Sequence, residues 1–216
     1  MTLAAMLMDL LRGLGTSLEI FFLTLLIALP LGFPLALGRM AKNRLLAGAI
    51  GVWISIVRGT PLMLQIIFVY FAPYLLFGMP LSRYPRLLAT VLAFGLNYAA
   101  YFAEIYRGGM LAVDPGQREA ATALGLSRAQ TFFRIILPQT IKRVIPAVGN
   151  EVITLVKDTS LAFTIAVTEM FTIAKQLSSA NTTMAPLVAA AVFYYIFNYL
   201  VAFAMGQIEK RYAYYS

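Results

Sequence analysis

Residues 15–37, GTSLEIFFLTLLIALPLGFPLAL, form one of several continuous apolar runs in this chain. A helix needs about 20 mostly apolar residues to cross the hydrocarbon core of a bilayer. The runs lack the alternation of apolar and polar residues that is typical of membrane barrels. The chain is 61% hydrophobic with a mean hydropathy of +0.80, more apolar surface than a soluble domain of 216 residues can bury. We therefore predict an all-α integral membrane protein.

Four further runs are long enough to cross a bilayer. They are residues 50–77, interrupted at Arg58-Gly59-Thr60-Pro61, and residues 87–105, 144–167 and 186–205. We predict five transmembrane helices in a single domain that covers residues 1–216.

Basic residues are distributed unequally between the two sets of loops. One set contains Arg39, Lys42, Arg44, Arg107, Arg118, Arg128, Arg134, Lys142, Arg143, Lys210 and Arg211. The other set, with the N-terminal segment, contains only Arg12, Arg83, Arg86 and Lys175. The positive-inside rule then places the N-terminus outside, the C-terminus inside, and the loop of residues 107–143 in the cytoplasm. The net charge of +8 is thereby explained by topology, without a nucleic-acid partner.

The composition excludes several kinds of chemistry. The chain has no cysteine and no histidine, so disulfides, zinc and haem sites and serine-protease triads are not expected. No lysine follows a glycine, so the chain has no nucleotide-binding P-loop and energy from ATP would have to come from a partner. A diaspartyl protease is disfavoured because Asp158 is the only aspartate inside a predicted span.

The loop of residues 107–143 contains signals for two short helices. Asp114-Pro115-Gly116-Gln117 predicts a helix start with an N-cap acid, and Gly125 predicts its end. Ser127-Arg128-Ala129-Gln130 is a second capping box, opening a helix that we expect to end at Leu137, before Pro138. Two capped helices and a one-residue elbow predict a compact knob, although a solvated loop helix explains the same pattern.

The knob sequence resembles a known motif. Glu119-Ala120-Ala121, three residues, Gly125, nine residues, Ile135, one residue, then Leu137-Pro138 match the EAA motif of permease subunits of ATP-binding-cassette (ABC) importers. This resemblance implies that the knob is the coupling helix that docks on a partner ATPase. Glu119, Ala120 and Ala121 would seat the helix there, and Gly125 would form its elbow.

Further motifs resemble the polar amino acid uptake branch, the histidine, glutamine and arginine group. These are Arg58-Gly59-Thr60-Pro61-Leu62, Ala103 to Gly109, Gly116-Gln117, Leu137-Pro138-Gln139 and Lys157 to Leu161. The resemblance implies an importer in the bacterial cytoplasmic (inner) membrane, with a second permease subunit as a homo- or heterodimer. It also implies a dimer of ATPase subunits, with ATP and magnesium bound there and no cofactor in this chain. A separate extracellular or periplasmic binding protein would deliver the substrate.

Acidic residues inside the spans suggest a substrate site. Glu151 and Asp158 lie about 20° apart on one helical face, and Glu169 falls almost on the same line. Asn97 and Glu104, also seven residues apart, form a second polar stripe. We predict that Glu151, Glu104, Asn97 and Asp158 line a mid-membrane site for an amino acid, a basic one such as arginine, lysine or histidine. The alternative is structural, with Glu104 paired to Arg107 and Asp158 balanced by Lys157 or another helix.

Arg58 is a candidate for the opposite end of the substrate. Thr60 could cap a half-helix that begins at Pro61, and such a helix end with Arg58 would bind a carboxylate. Alternatively, Arg58 reaches the cytoplasmic headgroups or pairs with an intramembrane acid.

Two other functions remain open from the sequence. They are the same importer class carrying glutamine or glutamate, and a small proton-coupled secondary transporter. A scaffold role is disfavoured because it would leave the acidic stripe unexplained.

Overall fold

A computed structural model describes residues 2–81 and 85–213, and all regular structure in them is helical. The helices in chain order are α1 (Leu3–Arg39), α2 (Arg44–Gly59), α3 (Leu62–Phe77), α4 (Arg86–Leu111), α5 (Gly116–Ala123), α6 (Arg128–Thr131), α7 (Leu137–Asp158), α8 (Met170–Asn181) and α9 (Ala185–Ala213). A π-helical turn (Phe132–Ile136) precedes α7, and a 3-10 segment (Thr159–Ile165) follows it. Arg83, counted above among the outer basic residues, lies outside the described residues.

Helix length and hydropathy support part of the predicted membrane topology. In the described ranges, α1, α4 and α9 are long and apolar enough to cross a bilayer. The pair α2 and α3 meets the same criterion together, and its axes are bent by 110° at the predicted interruption after Gly59. The fourth predicted span, residues 144–167, falls on α7 and the 3-10 segment, which do not meet it. The count of five spans and the external N-terminus stay predictions.

Helices α1 and α4 form the centre of the fold. Their buried side chains include Ile20 of α1 and Phe94 and Phe102 of α4, none of which is exposed. Gly32 of α1 lies so near α4 that a Cβ atom there would be 2.8 Å from the Cβ atom of Phe102. This close packing makes α4 the fixed element against which α2, α3 and α7 place their polar side chains.

The predicted helix end before Pro138 is wrong. The chain stays helical from Arg128 through Asp158, because the π-helical turn lies directly before the proline. The Leu137 N–H donates to the carbonyl of Phe132, five residues earlier, and the Gln139 side chain donates to the carbonyl of Ile135 at 3.0 Å. Pro138 removes one backbone donor, and this local rearrangement lets the helix continue past it.

The predicted fourth span also ends differently from our expectation. After the 3-10 segment, Ala166 adopts a left-handed conformation with φ of 56°, and the chain turns into α8. Helix α8, which we did not predict, packs on α1 and α9. The helical periodicity used to align Glu169 with Glu151 and Asp158 is therefore interrupted before it reaches Glu169.

A glycine on α1 sets the approach of α8. A Cβ atom on Gly13 would lie 2.7 Å from Cα and 2.8 Å from N of Met170, so Gly13→Ala must displace backbone. We expect this variant to lose about 1–3 kcal/mol of unfolding free energy. Gly15→Ala, at a position with open space around it, is the matched control and should not destabilise. Thermal unfolding in detergent measures both, and equal melting temperatures would contradict the close approach.

Candidate polar site and coupling knob

One face of α4 presents a row of polar and aromatic side chains. Asn97, Tyr101 and Glu104 lie at successive turns, and Tyr98 lies beside Asn97. Residues three, four and seven apart share a face of a helix, so this row points to one side. The structure thus confirms the spacing that predicted a polar stripe on this helix.

Helix α7 meets this face with its acidic residues. The Tyr98 hydroxyl donates to Oδ2 of Asp158 at 2.7 Å. Glu151 is half-buried, and its carboxylate interacts electrostatically with Asp158 and with Arg58. Both predicted acids of α7 therefore belong to one cluster, and Tyr98 connects the cluster to α4. Thr154, between the two acids, is exposed and its hydroxyl donates to the carbonyl of Asn150.

Arg58 approaches the same cluster from the end of α2. Its guanidinium lies over the ring of Tyr101, 4.9 Å from the centroid, a cation–π distance. Arg58 also interacts electrostatically with Glu104 and Glu151. The structure thus brings Arg58 of α2 near Glu151 and Asp158 of α7, around the tyrosines of α4. Asp158 also interacts electrostatically with its neighbour Lys157, as the structural alternative predicted.

Thr60 does not cap the half-helix, contrary to our expectation. Its hydroxyl donates to the carbonyl of Ile56 at 2.9 Å, back toward α2. Helix α3 begins after Pro61, which provides no side-chain cap. A threonine hydroxyl can bond a carbonyl four residues earlier as readily as an N–H ahead of it. The structure therefore gives no capped helix end for a carboxylate at this break.

Glu104 and Asn97 have protein partners. Oε2 of Glu104 accepts from Nη2 of Arg107 at 2.6 Å and from Nε of Arg107 at 2.9 Å. Glu104 therefore forms the ion pair that the structural alternative predicted. Asn97 is 5% exposed, and its Nδ2 donates to Oε1 of Gln65 at 3.0 Å. Both residues border the cluster, but their polar groups are engaged inside the chain.

Glu169 follows the left-handed Ala166, outside α7, and has a different role from the acids of that helix. It is 0% exposed, and it caps α8 by accepting from the backbone N–H groups of Phe171 and Thr172, both at 2.7 Å. The hydroxyls of Thr172 and Tyr194 donate to the same carboxylate at 2.8 and 3.0 Å. The extension of the acidic stripe to Glu169 is therefore wrong.

The predicted knob is present as α5, an elbow and α6. Gly125 has φ of 73°, in the left-handed region that favours glycine. Its N–H donates to the carbonyl of Thr122, and the N–H of Leu126 donates to the carbonyl of Ala121, each at 3.0 Å. These two bonds form a Schellman motif, so the prediction of Gly125 as the helix-ending glycine is confirmed.

The starts of α5 and α6 differ in how they are capped. The prediction of Asp114 as the N-cap of α5 is wrong, because Pro115 occupies that position and provides no side-chain cap. The carboxylate of Asp114 accepts from the N–H of Gly116 at 2.7 Å. Ser127 and Gln130 form the complete reciprocal capping box that the sequence predicted. Gln117 makes no capping contact; its Oε1 accepts from Nε2 of Gln139 at 3.4 Å, which links the knob to α7.

The knob exposes one side and buries the other. Glu119 and Ala120 are exposed, whereas Ala121 is 1% exposed and packs inward. The exposed side of α5 carries a charged residue, Glu119, and a small residue, Ala120. Another protein can contact such a surface without altering the fold beneath it.

Known proteins are similar to this chain in sequence and in fold. Residues 28–214 match the family model of the binding-protein-dependent transport system inner membrane component. The chain belongs to this family. The permease is 35% identical over 202 residues to the arginine transport system permease protein ArtQ of Bacillus subtilis (strain 168), covering 93% of this chain and 91% of ArtQ. It is 36% identical over 188 residues to the glutamine transport system permease protein GlnP of Escherichia coli (strain K12), covering 87% and 83%.

A solved structure has the same fold. The permease matches a chain in a crystal structure of an amino acid ABC transporter with histidines, with a TM-score of 0.87 and 31% identity. The match covers 98% of this chain and 99% of that chain. The permease is therefore a multi-pass helical membrane protein and a transport component. ATP hydrolysis in such systems takes place on a separate subunit.

Three residues in or beside the cluster were not predicted. Tyr98 and Tyr101 were not singled out, although each lies within one turn of a predicted site residue on α4. Gln65 was also missed, and its signal was available, because it is a polar residue in an otherwise apolar segment directly after a broken helix.

Proposed function

We propose that the permease forms the translocation path of an ATP-driven importer for polar amino acids, with Arg58, Glu151 and Asp158 contacting the substrate. The convergence of one cation and two acids beside the tyrosines of α4 supports this most directly. Every amino acid has an α-carboxylate and an α-ammonium group. Arg58 suits the carboxylate, and Glu151 with Asp158 suits the ammonium or a cationic side chain.

The cargo we propose is a basic amino acid. Glu151 and Asp158 are both in the cluster, and a basic amino acid offers them two cationic groups, whereas a neutral one offers only its ammonium. A relative named for arginine and a matching structure with histidines are compatible with this choice. Glutamine is the second candidate, because the relative GlnP is named for it.

Glu104 and Asn97 keep a part in this proposal, but not as primary contacts. Arg107 neutralises Glu104 at 2.6 Å, and Gln65 occupies the Asn97 amide. We propose that Glu104 shapes the electrostatic field of the site and that Asn97 supports its wall.

The assembly that we propose follows from topology and family. Five spans would cross the inner membrane, with the N-terminus outside and the knob in the cytoplasm. A second permease subunit would complete the path, and a separate binding protein would deliver the substrate on the outer face. The exposed side of α5, with Glu119 and Ala120, would dock on an ATPase dimer that binds ATP and magnesium. Closure of that dimer would move α7 through the continuous helix from Arg128 to Asp158.

Reconstitution with the partner subunits tests this function. We expect proteoliposomes with the binding protein and ATPase to accumulate arginine, lysine or histidine only when ATP is supplied. Uptake driven by a proton gradient in the absence of ATP would identify a secondary transporter and overturn the proposal.

Glu151→Gln tests the site within the same assay. The loss of a charge-assisted contact should raise the KM for a cationic amino acid by about 10- to 100-fold. Glu209→Gln, at an exposed acid on α9, is the matched control and should leave the KM unchanged. An unaltered preference for cationic amino acids in the Glu151 variant would remove Glu151 from the site.

A further inference from the structure

The break between α2 and α3 leaves backbone groups without helical partners. In a continuous helix the carbonyl of Val57 would accept from the N–H of residue 61, but residue 61 is a proline and has no N–H. An unpaired carbonyl at membrane depth is costly, since no water is available to satisfy it. The break therefore needs a donor from elsewhere in the chain.

The side chain of Gln65 provides that donor. Its Nε2 donates to the carbonyl of Val57 at 2.7 Å, and it also contacts Oγ1 and the carbonyl oxygen of Thr60 at 2.9 and 3.1 Å. One amide group on the first turn of α3 is thus bonded to the last residues of α2. These bonds cross the break and fasten its two sides together.

The other end of the same amide is bonded to α4. Oε1 of Gln65 accepts from Nδ2 of Asn97 at 3.0 Å. One turn further along α4, Tyr101 lies under the guanidinium of Arg58 at 4.9 Å. The two sides of the break therefore contact successive turns of α4, with Gln65 on one side and Arg58 on the other.

An apolar groove of about 400 Å³ lies within the bend between α2 and α3, lined by side chains that include Trp53, Ile56, Leu64 and Phe68. Both helices pack against α4, which contributes to their angle. At the vertex of the bend, the hydrogen bonds of Gln65 join the two helices directly.

We propose that Gln65 is a positioning residue that fixes the broken helix and so holds Arg58 over Tyr101, at the edge of the substrate cluster. This inference rests on the proposed function for the role of Arg58, but the geometry of the joint can be measured separately. Glutamine can join the break to α4 because its amide offers a donor to the carbonyl of Val57 and an acceptor to Asn97. Neither leucine nor glutamate can supply both.

The joint can be measured by the distance between two spin labels. The chain has no cysteine, so Leu45→Cys and Leu76→Cys introduce labels without background. Both positions are exposed, at 85% and 67%. A straight helix would separate them by about 46 Å, and the bend brings them much closer. We expect one narrow distance with Gln65 present, and a broader, longer distribution in Gln65→Leu.

Transport kinetics in the reconstituted complex test the positioning role. We expect Gln65→Leu to raise the KM for a cationic amino acid by about 5- to 10-fold, with a smaller change in the maximal rate. Gln65→Glu keeps the acceptor for Asn97 but loses the donor to Val57, whereas Asn97→Leu does the reverse. Each should give an intermediate KM. Gln176→Leu, the same chemical change at an exposed position of α8, should leave both distance and KM unchanged.

Each combination of outcomes decides the proposal. A longer distance together with a higher KM in Gln65→Leu supports it. An unchanged distance overturns it, whatever the KM, because Gln65 would then not fix the joint. A changed distance with normal KM overturns the positioning role while leaving the proposed function intact if Glu151→Gln still raises the KM. If neither Gln65→Leu nor Glu151→Gln affects the KM, the proposed substrate site fails together with the positioning role.

Discussion

Glu169→Ala is expected to cost the permease about 3–5 kcal/mol of unfolding free energy, enough to prevent recovery of folded protein. The carboxylate is 0% exposed and accepts from four donors, two backbone N–H groups of α8 and the hydroxyls of Thr172 and Tyr194. Alanine would leave these donors buried without an acceptor. The loss would detach α8 from its cap and α9 from its polar contact.

An isosteric variant shows whether stability depends on the charge and acceptor geometry of Glu169 or only on the volume of its side chain. Glu169→Gln fills the same space, but its amide nitrogen would face donors where an oxygen now accepts them. We therefore expect Glu169→Gln to be nearly as damaging as Glu169→Ala. Tyr194→Phe should lose only about 1 kcal/mol, since it removes one of the four donors. Glu209→Gln, at an exposed acid, should have no effect.

Thermal unfolding in detergent and the yield of monodisperse protein measure these variants. A Glu169→Gln protein with the native melting temperature would contradict the role assigned to the buried carboxylate.

The sequence predicted features that depend on neighbouring residues. The capping box of Ser127 and Gln130 and the left-handed Gly125 are determined within a few residues, so both were confirmed. The interruption after Arg58 was also predictable, because Gly59 and Pro61 both disfavour a continuous helix. Helix signals of this kind do not depend on the rest of the fold.

Other features depend on contacts between distant parts of the chain. The bond from Tyr98 to Asp158 joins residues 60 positions apart, and the bond from Asn97 to Gln65 joins residues 32 apart. Spacing placed Asn97 on a polar face but could not show that its amide was already occupied. Glu169 was misplaced for a related reason, because the left-handed Ala166 ends the helical repeat and nothing in its side chain signals that conformation.

Gly125→Val is expected to abolish ATP-driven uptake while the membrane-spanning part stays folded. Gly125 has φ of 73°, a region that a β-branched residue strongly disfavours. The elbow would open, and with it the Schellman bonds from Gly125 to Thr122 and from Leu126 to Ala121. The exposed residues Glu119 and Ala120 would then no longer be presented to an ATPase in a fixed orientation.

The matched controls distinguish loss of coupling from loss of fold. Gly206→Ala, at a helical glycine with open space around it, should leave uptake intact. Ala120→Arg adds bulk to the exposed side of α5 without disturbing the elbow, and it should block uptake to a similar extent.

Uptake, substrate-stimulated ATPase activity and melting temperature are measured for each variant. Because α5 and the elbow lie outside the packed centre of α1 and α4, Gly125→Val should keep a near-native melting temperature while substrate no longer stimulates the ATPase. Normal stimulation in Gly125→Val would show that the knob does not couple the two subunits, whereas a collapse of the melting temperature would show that the elbow supports the whole fold.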